Sequence, residues 1–253
     1  MERAFNLPAG DIGSSNFEHH GISLKEMTIV NRIPLQYEPI KGTHAVNQYD
    51  KGARYYMMPE YKYFVWKILR RGIHRGKVLD IGTGSGRLAI ELAKVKNSEF
   101  KITAIDVSLD MLELAKKNAI QAGVADKIDF ILANGDSIPF HDGSFDLVMS
   151  YASLHHWFHP EKVFSEAGRV AGDRGTVIIR DNRRVYGNLF WEAFIRLLLL
   201  FMNKRHRQNW PKAIMASYTI PEIKDIVSRS GIKDYRTGTD FIKFDLFVET
   251  ARK

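Results

Sequence analysis

From Lys77 onward, short runs of apolar residues alternate with longer segments in which apolar residues recur at helical spacing. Short apolar runs are typical of buried strands, and their alternation with helices is typical of a parallel sheet covered on both faces. The pattern therefore predicts an α/β fold with a doubly wound sheet. Five strands are expected, at residues 77–81, 101–106, 128–133, 145–150 and 175–180.

Residues that start or stop helices support the same elements. Ser108 is a good N-cap residue for the helix after the second strand, and Gly123 suits the left-handed position that ends it. Pro160 suits the first turn of a helix after the fourth strand. Near the C-terminus, Thr219 and Glu222 have the spacing of a capping box, which predicts another helix start.

Some segments lie outside this alternation. Residues 235–244 and 244–250 are strand-like with no helical pattern between them, so an antiparallel hairpin at the sheet edge is expected. Residues 1–47 are broken by prolines and form an N-terminal extension, interpreted as a lid or an oligomer contact. The rest, residues 48–253, is expected to be one domain with a helical insertion at 187–218, after the fifth strand.

The insertion begins with an almost wholly apolar stretch. Residues 189–202 have Glu192 and Arg196 as their charged residues, and as a helix they would be about 21 Å long, too short to cross a bilayer. This surface has to be covered by the domain, a second subunit, an apolar substrate or a membrane surface. We favour a lid over a substrate site. The alternatives are a homodimer contact and a peripheral membrane helix, the latter supported by the basic run Lys204-Arg205-His206-Arg207.

Composition narrows the chemistry. The chain has no cysteine, which excludes disulfides, thiolate zinc sites and cysteine nucleophiles and fits a reducing compartment. The first residues lack an apolar run of signal-peptide length, so a cytoplasmic location is expected. The net charge of +8 favours an anionic partner, such as a carboxylate or phosphate substrate, RNA or a lipid headgroup. No spacing of histidines and carboxylates resembles a known metal site, so no metal is expected.

A candidate ligand site lies between the first strand and the next helix. Gly82, Gly84 and Gly86 follow the strand, where glycines let the backbone approach a ligand and the helix start offers unpaired N–H groups. Asp106 ends the second strand, where a carboxylate can accept hydrogen bonds from both hydroxyls of a ribose. These residues predict a nucleoside-type ligand.

Asp80 separates two classes of cofactor. A carboxylate directly before the glycines would repel a pyrophosphate, but it can organise the loop around a cofactor that carries an ammonium group. The glycine spacing also differs from the Gly-x-Gly-x-x-Gly of dinucleotide-binding proteins. S-Adenosylmethionine has an ammonium and no phosphate. It is therefore the predicted cofactor, and a nicotinamide oxidoreductase is disfavoured.

From about residue 49 onward, the chain resembles the small-molecule branch of the class I S-adenosylmethionine-dependent methyltransferases, a family that includes quinone-pathway C-methyltransferases. The resemblance implies a Rossmann-like, doubly wound sheet of seven strands in the order 3-2-1-4-5-7-6, with strand 7 antiparallel. Five stretches carry it, in the family's order and spacing: residues 78–93, 105–111, 135–140, 145–148 and 153–157.

Matched position by position, the resemblance also implies a set of cofactor-binding residues. Each is assigned to one part of S-adenosylmethionine. They are Tyr49 and Tyr56 closing over the carboxylate, Asp80, Gly82, Thr83 and Gly84 at the methionine end, Tyr151 near the sulfonium, Asp106 on the ribose, Val107 and Met111 against the adenine, and Asp136, with Gly135 and Ser137, at the adenine amino group.

Three residues are candidates for catalysis. His155 and His156 follow the fourth strand at the carboxyl edge of the sheet, where doubly wound folds bind their ligands, and either could deprotonate a substrate near neutral pH. The alternative is that both histidines shape the turn before the next helix. Tyr151 is the third candidate because it is expected near the sulfonium. Positioning supplies much of the acceleration of methyl transfer, so a catalytic base is not obligatory.

The predicted function is transfer of the S-adenosylmethionine methyl group to a small molecule, apolar or anionic, bound under the insertion. One alternative is an RNA methyltransferase, suggested by the basic charge. Base-amino methylation usually relies on an (Asp/Asn)-Pro-Pro-aromatic motif, but Ser150-Tyr151-Ala152-Ser153 stands in its place, and no cysteine is present for pyrimidine C5 methylation. A protein that binds the cofactor without catalysis is the other alternative.

Overall fold

The computed structural model describes residues 32–34, 42–185, 189–202, 204–240 and 243–249. A central sheet has seven strands in the order β3-β2-β1-β4-β5-β7-β6. The expected α/β fold with a parallel five-stranded sheet is confirmed, because β1 to β5 all pair in parallel. The strands are β1 Arg75–Ile81, β2 Glu99–Asp106, β3 Ile128–Leu132, β4 Leu147–Tyr151, β5 Thr176–Asn182, β6 Arg236–Asp240 and β7 Lys243–Glu249.

Helices cover both faces of the sheet. One face packs against α2, α3 and α4, and the other against α5 and α8. A π-helical turn, Ala53–Met57, joins α1 to α2. The helices are α1 Thr43–Gly52, α2 Met58–Leu69, α3 Arg87–Ala93, α4 Leu109–Gln121, α5 Pro160–Ala171, α6 Leu189–Leu200, α7 Lys204–Ala216 and α8 Ile220–Arg229.

The apolar runs of the sequence are the strands that this arrangement buries on both faces. Val78 and Leu79 are adjacent in β1 and are both fully buried, Val78 towards α2 and α3 and Leu79 towards α5. Successive strand residues point to opposite faces, so a strand sandwiched between two helical layers needs apolar residues at consecutive positions. Because β1 to β5 pair in parallel, their carboxyl ends lie together at one edge of the sheet.

The predicted helix ends are confirmed. The side chain of Ser108 accepts a hydrogen bond from the amide of Met111 at the start of α4, and Gly123 follows that helix with a φ of 68°. At α8, Thr219 and Glu222 form both hydrogen bonds of a capping box. Such bonds satisfy N–H groups that a helix start leaves without partners.

Several expected boundaries are corrected. Residues 47 and 48 lie inside α1, and the division into an extension and a domain stays a prediction. The first hairpin strand ends at Asp240 rather than 244, although β6 and β7 do pair antiparallel. The basic run at 204–207 forms the first turn of α7. The expectations for residues 1–31 and 35–41, for Gly187 and for Thr250 lie outside the described residues.

The insertion consists of α6 and α7, which pack on a small core of their own. Ile195 of α6, Ile214 of α7 and Val185 after β5 are buried together, with Leu199 and Trp210 against them. Within the described residues, none of the helices is long and apolar enough to cross a membrane. The outer side of the insertion is apolar as well, since Leu189, Phe190, Leu197, Leu200 and Phe201 are all more than half exposed.

Candidate active site

A cavity of about 580 Å³ opens at the carboxyl edge of the sheet, where β1, β2 and β4 end. Its walls come from the glycine loop after β1, the start of α4, the loop after β3 and the loop after β4. Eight of the predicted cofactor residues line it: Tyr49, Gly82, Gly84, Asp106, Val107, Met111, Gly135 and Asp136. Residues far apart in the sequence therefore meet at one place.

The glycine loop needs its glycines for two separate reasons. Gly82 has a φ of 69°, and a Cβ atom there would lie 2.0 Å from Ser153 Oγ in the loop after β4. Gly84 has a φ of 54° and lies under the ring of Tyr49, which a Cβ would approach to 3.8 Å. Since L side chains rarely adopt such φ values, the loop holds a bare backbone against the cavity.

Asp106 closes the loop from the end of β2. One carboxylate oxygen accepts a hydrogen bond from the amide of Gly84 at 2.8 Å, and the other accepts one from the amide of Ser108 at 2.9 Å. Desolvation raises the pKa of Asp106, although these backbone hydrogen bonds act in the opposite direction. A carboxylate has about four lone-pair sites, so this one can still accept bonds from a ligand in the cavity.

Asp80 lies directly behind the loop. It is 1% exposed and accepts a hydrogen bond from Thr83 Oγ1 at 2.7 Å. Burial raises the pKa of Asp80 to about 7, and the nearby charge of Asp106 contributes in the same direction. A cation bound beside this carboxyl group would favour its ionised form.

The helix that carries Tyr49 is tied to the glycine loop by a buried polar cluster. Arg87, the first residue of α3, donates to both carboxylate oxygens of Asp50, at 2.8 Å and 2.5 Å. Asn118 donates to Asp50 at 3.3 Å and to the carbonyl of Ser85 at 2.9 Å. Because Asp50 follows Tyr49, the cluster holds the tyrosine over the cavity. Burial, with the charges of Asp106 and Asp50, raises the pKa of Tyr49 to about 12, so its hydroxyl remains a donor.

Two predicted residues, Tyr56 and Tyr151, line a second cavity instead. Tyr56 is seven residues after Tyr49, which is about 10 Å further along a helix. Tyr151 is the last residue of β4, and its ring packs edge-on against Tyr61 of α2, 5.0 Å between centroids. The next residue, Ala152, has a φ of 53° and lines the first cavity. The end of β4 therefore separates the two cavities.

The second cavity has a volume of about 660 Å³ and lies beneath the insertion. Phe194, Leu198 and Met202 line it from α6 and the residues after it, and Trp210 lines it from α7. The opposite wall is polar. It is formed mainly by Glu60, Tyr151, Arg180, Asn182, Asp240 and Lys243.

The two candidate histidines have different surroundings. His155 is buried, and its Nδ1 lies 2.8 Å from Asp181 Oδ1. Its backbone amide also donates to Asp181, and its carbonyl accepts from Arg32 in the extension at 3.3 Å. His156 lines the first cavity, and desolvation together with His155 lowers its pKa, so the ring is neutral at neutral pH.

Other predicted positions lie close to the first cavity without lining it. Thr83 reaches Asp80, as described, and the Ser137 amide donates to the carbonyl of Asn134. Within the described residues, no group of three or more histidine, cysteine or carboxylate side chains is arranged to hold a metal ion.

The sequence did not predict some of the residues that line the two cavities. Ser153 and Trp157 line the first cavity, where Trp157 Nε1 donates to Ser153 Oγ at 3.0 Å. Both lie within residues 153–157, one of the stretches that carry the family resemblance, but the sequence indicates a role there only for the two histidines. Lys243 lines the second cavity, and no sequence motif surrounds it, because its position depends on how β7 pairs with β5.

Comparisons with known proteins agree with this geometry. Residues 79–179, from β1 to β5, match a family model described as a methyltransferase domain. The chain is 33% identical over 92 residues to a ubiquinone/menaquinone biosynthesis C-methyltransferase of Brucella canis, covering 36% of this chain and 34% of that protein. A protein of the same description from Francisella tularensis is 27% identical over 135 residues, covering 50% and 54%. The chain thus matches only a third to about half of the length of these curated relatives.

A solved structure extends the likeness over most of the chain. A protein of Methanococcus maripaludis, assigned as an S-adenosylmethionine-dependent methyltransferase, superimposes with a TM-score of 0.69 at 25% sequence identity. The match covers 86% of this chain and 98% of that one. With the glycine loop and Asp106 lining one cavity and Asp80 directly behind the loop, the chain is identified as carrying a methyltransferase domain of the class I, S-adenosylmethionine-dependent type.

Proposed function

We propose that the protein transfers the methyl group of S-adenosylmethionine to a small molecule, with the cofactor in the first cavity and the acceptor in the second. The observation that carries the proposal is the division at the end of β4. Tyr151 and Ala152 are adjacent residues, yet each lines a different cavity. A transferred group has to pass between two such neighbouring pockets.

The residues of the first cavity, with Asp80 directly behind its glycine loop, suit each part of the cofactor. Asp80 suits the ammonium group, and the protonated hydroxyl of Tyr49 suits the carboxylate as a donor. Asp106 retains acceptor sites for the ribose hydroxyls. Val107 and Met111 offer apolar surface to the adenine, and the Asp136 carboxylate, which also lines the cavity, offers an acceptor for the adenine amino group. When bound, S-adenosylmethionine supplies an electrophilic methyl group on a sulfonium.

The second cavity suits an acceptor with a large apolar part. The α6 and α7 side chains on its wall are aromatic or aliphatic, and they exclude water from that side. The insertion then serves as the lid that the sequence suggested. Tyr56 and Tyr151 belong, in this proposal, to the acceptor side rather than to the cofactor.

Positioning and water exclusion are the main contributions of the chain to the reaction. His155 is engaged with Asp181, and we assign it to shaping the loop after β4. His156 lines the cofactor cavity rather than the acceptor cavity. We therefore also assign it to shaping the loop after β4. His156→Ala should leave cofactor affinity nearly unchanged. A loss of turnover at unchanged affinity would instead support its role as a base.

Cofactor binding and methyl transfer test the proposal separately. The protein should be stabilised against heat by S-adenosylhomocysteine and not by NAD, because only a ligand that binds the folded state raises the melting temperature. It should then be incubated with S-adenosylmethionine labelled in the methyl group and either an extract of small metabolites or bulk RNA. Label in the small-molecule fraction is expected. Label in RNA would favour the alternative, and binding without transfer would favour a non-catalytic protein.

The outer face of α6 bears on two further hypotheses. Leu189, Phe190, Leu197, Leu200 and Phe201 form an exposed apolar surface, the kind that mediates contacts between proteins or with lipids. A homodimer would appear as a doubled mass in sedimentation, reduced to the monomer mass by Leu197→Glu. Co-sedimentation with anionic vesicles at unchanged monomer mass would favour the peripheral membrane contact.

A further inference from the structure

Lys243 occupies an unusual place in the second cavity. It is the first residue of β7 and pairs with Asn182 across the sheet ladder. Although it lines the cavity, the residue is only 9% exposed. Its ammonium donates to Asn182 Oδ1 at 3.0 Å and lies 4.8 Å from the centroid of the Tyr151 ring. A buried cation thus faces the space assigned to the acceptor.

The nearby carboxylates are held by other cations. Arg180 donates to Asp240 at 2.7 Å and to Glu60 at 3.2 Å, and Lys67 donates to Asp240 at 2.8 Å. Desolvation acts to raise the pKa of Asp240, but the hydrogen bonds that Asp240 accepts from Arg180 and Lys67 lower it to about 2. Asp181 is engaged by His155. Within the part of the chain that the structure describes, an amide oxygen is therefore the hydrogen-bond partner of Lys243.

Among the described residues, the Lys243 ammonium has one hydrogen bond, to a neutral oxygen, and the charges of Glu60, Asp181 and Asp240 attract it without a hydrogen bond. A lysine ammonium has three N–H donors, and burial of a charge is costly unless it is paired. The same burial lowers the pKa of Lys243. An anionic oxygen beside Lys243 would be attracted to the ammonium and would accept a hydrogen bond from one of its remaining N–H groups. Charge-assisted hydrogen bonds of this kind are stronger than neutral ones.

We propose that Lys243 and Asn182 form an oxyanion subsite for the methyl acceptor, which is an apolar molecule carrying one negatively charged oxygen group. Lys243 holds the charged oxygen, and Asn182 orients the ammonium. The apolar part packs on Phe194, Leu198 and Trp210. This inference rests on the proposed function, because it assumes that the second cavity holds the acceptor.

Matched pairs of charged and neutral ligands test the subsite. Decanoate and 2-naphthoate, with decanamide and 2-naphthamide as uncharged counterparts, would be titrated calorimetrically into the 253-residue chain saturated with S-adenosylhomocysteine. At least one carboxylate should bind about tenfold more tightly than its amide, as expected for a charge-assisted hydrogen bond. Lys243→Met should remove this preference while leaving amide binding nearly unchanged.

Two controls separate a ligand role from a structural one. Lys233 is exposed just before β6, so Lys233→Met removes an equal charge away from the cavity and should keep the preference. The melting temperature and the S-adenosylhomocysteine affinity of Lys243→Met show whether the variant is folded, and Lys243→Gln serves if it is not.

Two outcomes would overturn the subsite. One is that neither carboxylate is preferred over its amide by the natural protein. The other is that the preference survives in a folded Lys243 variant. Failure of S-adenosylhomocysteine to bind would contradict the proposed function instead. The carboxylates and amides would then be titrated into the protein without S-adenosylhomocysteine, which still tests the subsite.

Discussion

The two cavities are built in different ways. The first is made mainly by loops that follow consecutive strands of a parallel sheet, so most of its residues belong to short, different motifs, one after each strand. The second combines α2, the end of β4, β5, β7 and the insertion, and its side chains come from single positions without a motif. Parallel strands align their carboxyl ends automatically, whereas a cavity under an insertion depends on how separate elements pack. The first therefore suits a shared cofactor, and the second a particular substrate.

The largest effect should come from Asp106→Ala, which we expect to weaken S-adenosylhomocysteine binding about 100-fold. The variant removes the charged carboxylate that accepts hydrogen bonds from the neutral ribose hydroxyls, and hydrogen bonds to a charged group contribute about 1.5–3 kcal/mol each. Calorimetric titration measures the change. Asp129→Ala is the control, since Asp129 is exposed on β3 and should leave the affinity unchanged. Equal affinity in the two variants would refute the ribose role of Asp106.

Ile195→Ala should loosen the second cavity without affecting the first. Ile195 is 2% exposed in the small core between α6 and α7, and truncation of such a residue costs about 2–3 kcal/mol. Hydrogen exchange in α6 should become faster, while S-adenosylhomocysteine affinity stays the same. Leu197→Ala is the control on the exposed side of the same helix. Loss of cofactor affinity in Ile195→Ala would mean that the two regions are coupled.

Gly82→Ala should destabilise the protein by about 2 kcal/mol more than Gly123→Ala, the range expected for overpacking. The two glycines have nearly equal φ values of 69° and 68°, so both variants carry the same backbone strain. A Cβ at Gly82 would meet Ser153 Oγ, whereas no atom lies within 4 Å of one at Gly123. Denaturant unfolding measures both. Equal losses would show that the loop relaxes around the added methyl group.

The smallest effect should be a pH dependence of cofactor binding through Asp80. With its pKa raised to about 7, the carboxyl group becomes ionised mainly between pH 6 and pH 8. If it faces the ammonium, S-adenosylhomocysteine affinity should rise about tenfold over this interval, following the ionised fraction. Asp80→Asn should bind more weakly and with a flatter profile. A profile unchanged by the substitution would remove Asp80 from the ammonium site.

The same shift predicts the opposite slope for stability. In the folded state burial holds the pKa of Asp80 above its ordinary value of 3.8, so the folded protein binds the proton more tightly than the unfolded chain does. The contribution of Asp80 to stability therefore decreases as the pH rises from about 4 to about 7. In Asp80→Asn this part of the pH dependence should vanish, which unfolding by denaturant at several pH values would show.

Much of the first cavity was predictable because its residues obey local rules. Glycines with positive φ, the N-cap Ser108 and a carboxylate at a strand end all depend on nearby backbone, so their types and spacing can be read directly. Tyr151 shows where this fails. It was expected just after the fourth strand and is the last residue of β4, but the side to which its ring points depends on the pleat of the strand and on α2. Asp50 and Arg87 are distant in the sequence. Their contact could not be predicted without knowing how α1 and α3 pack together.

The sequence by itself determined the parallel α/β framework, the glycine loop and the cofactor class, because apolar periodicity and backbone constraints act over short distances. Only the tertiary structure decided that two cavities lie on either side of the end of β4. It also decided that the insertion covers one of them and that Lys243 is buried there beside Asn182. These features arise from contacts between elements far apart in the chain, where burial and charge depend on neighbours that no local pattern specifies.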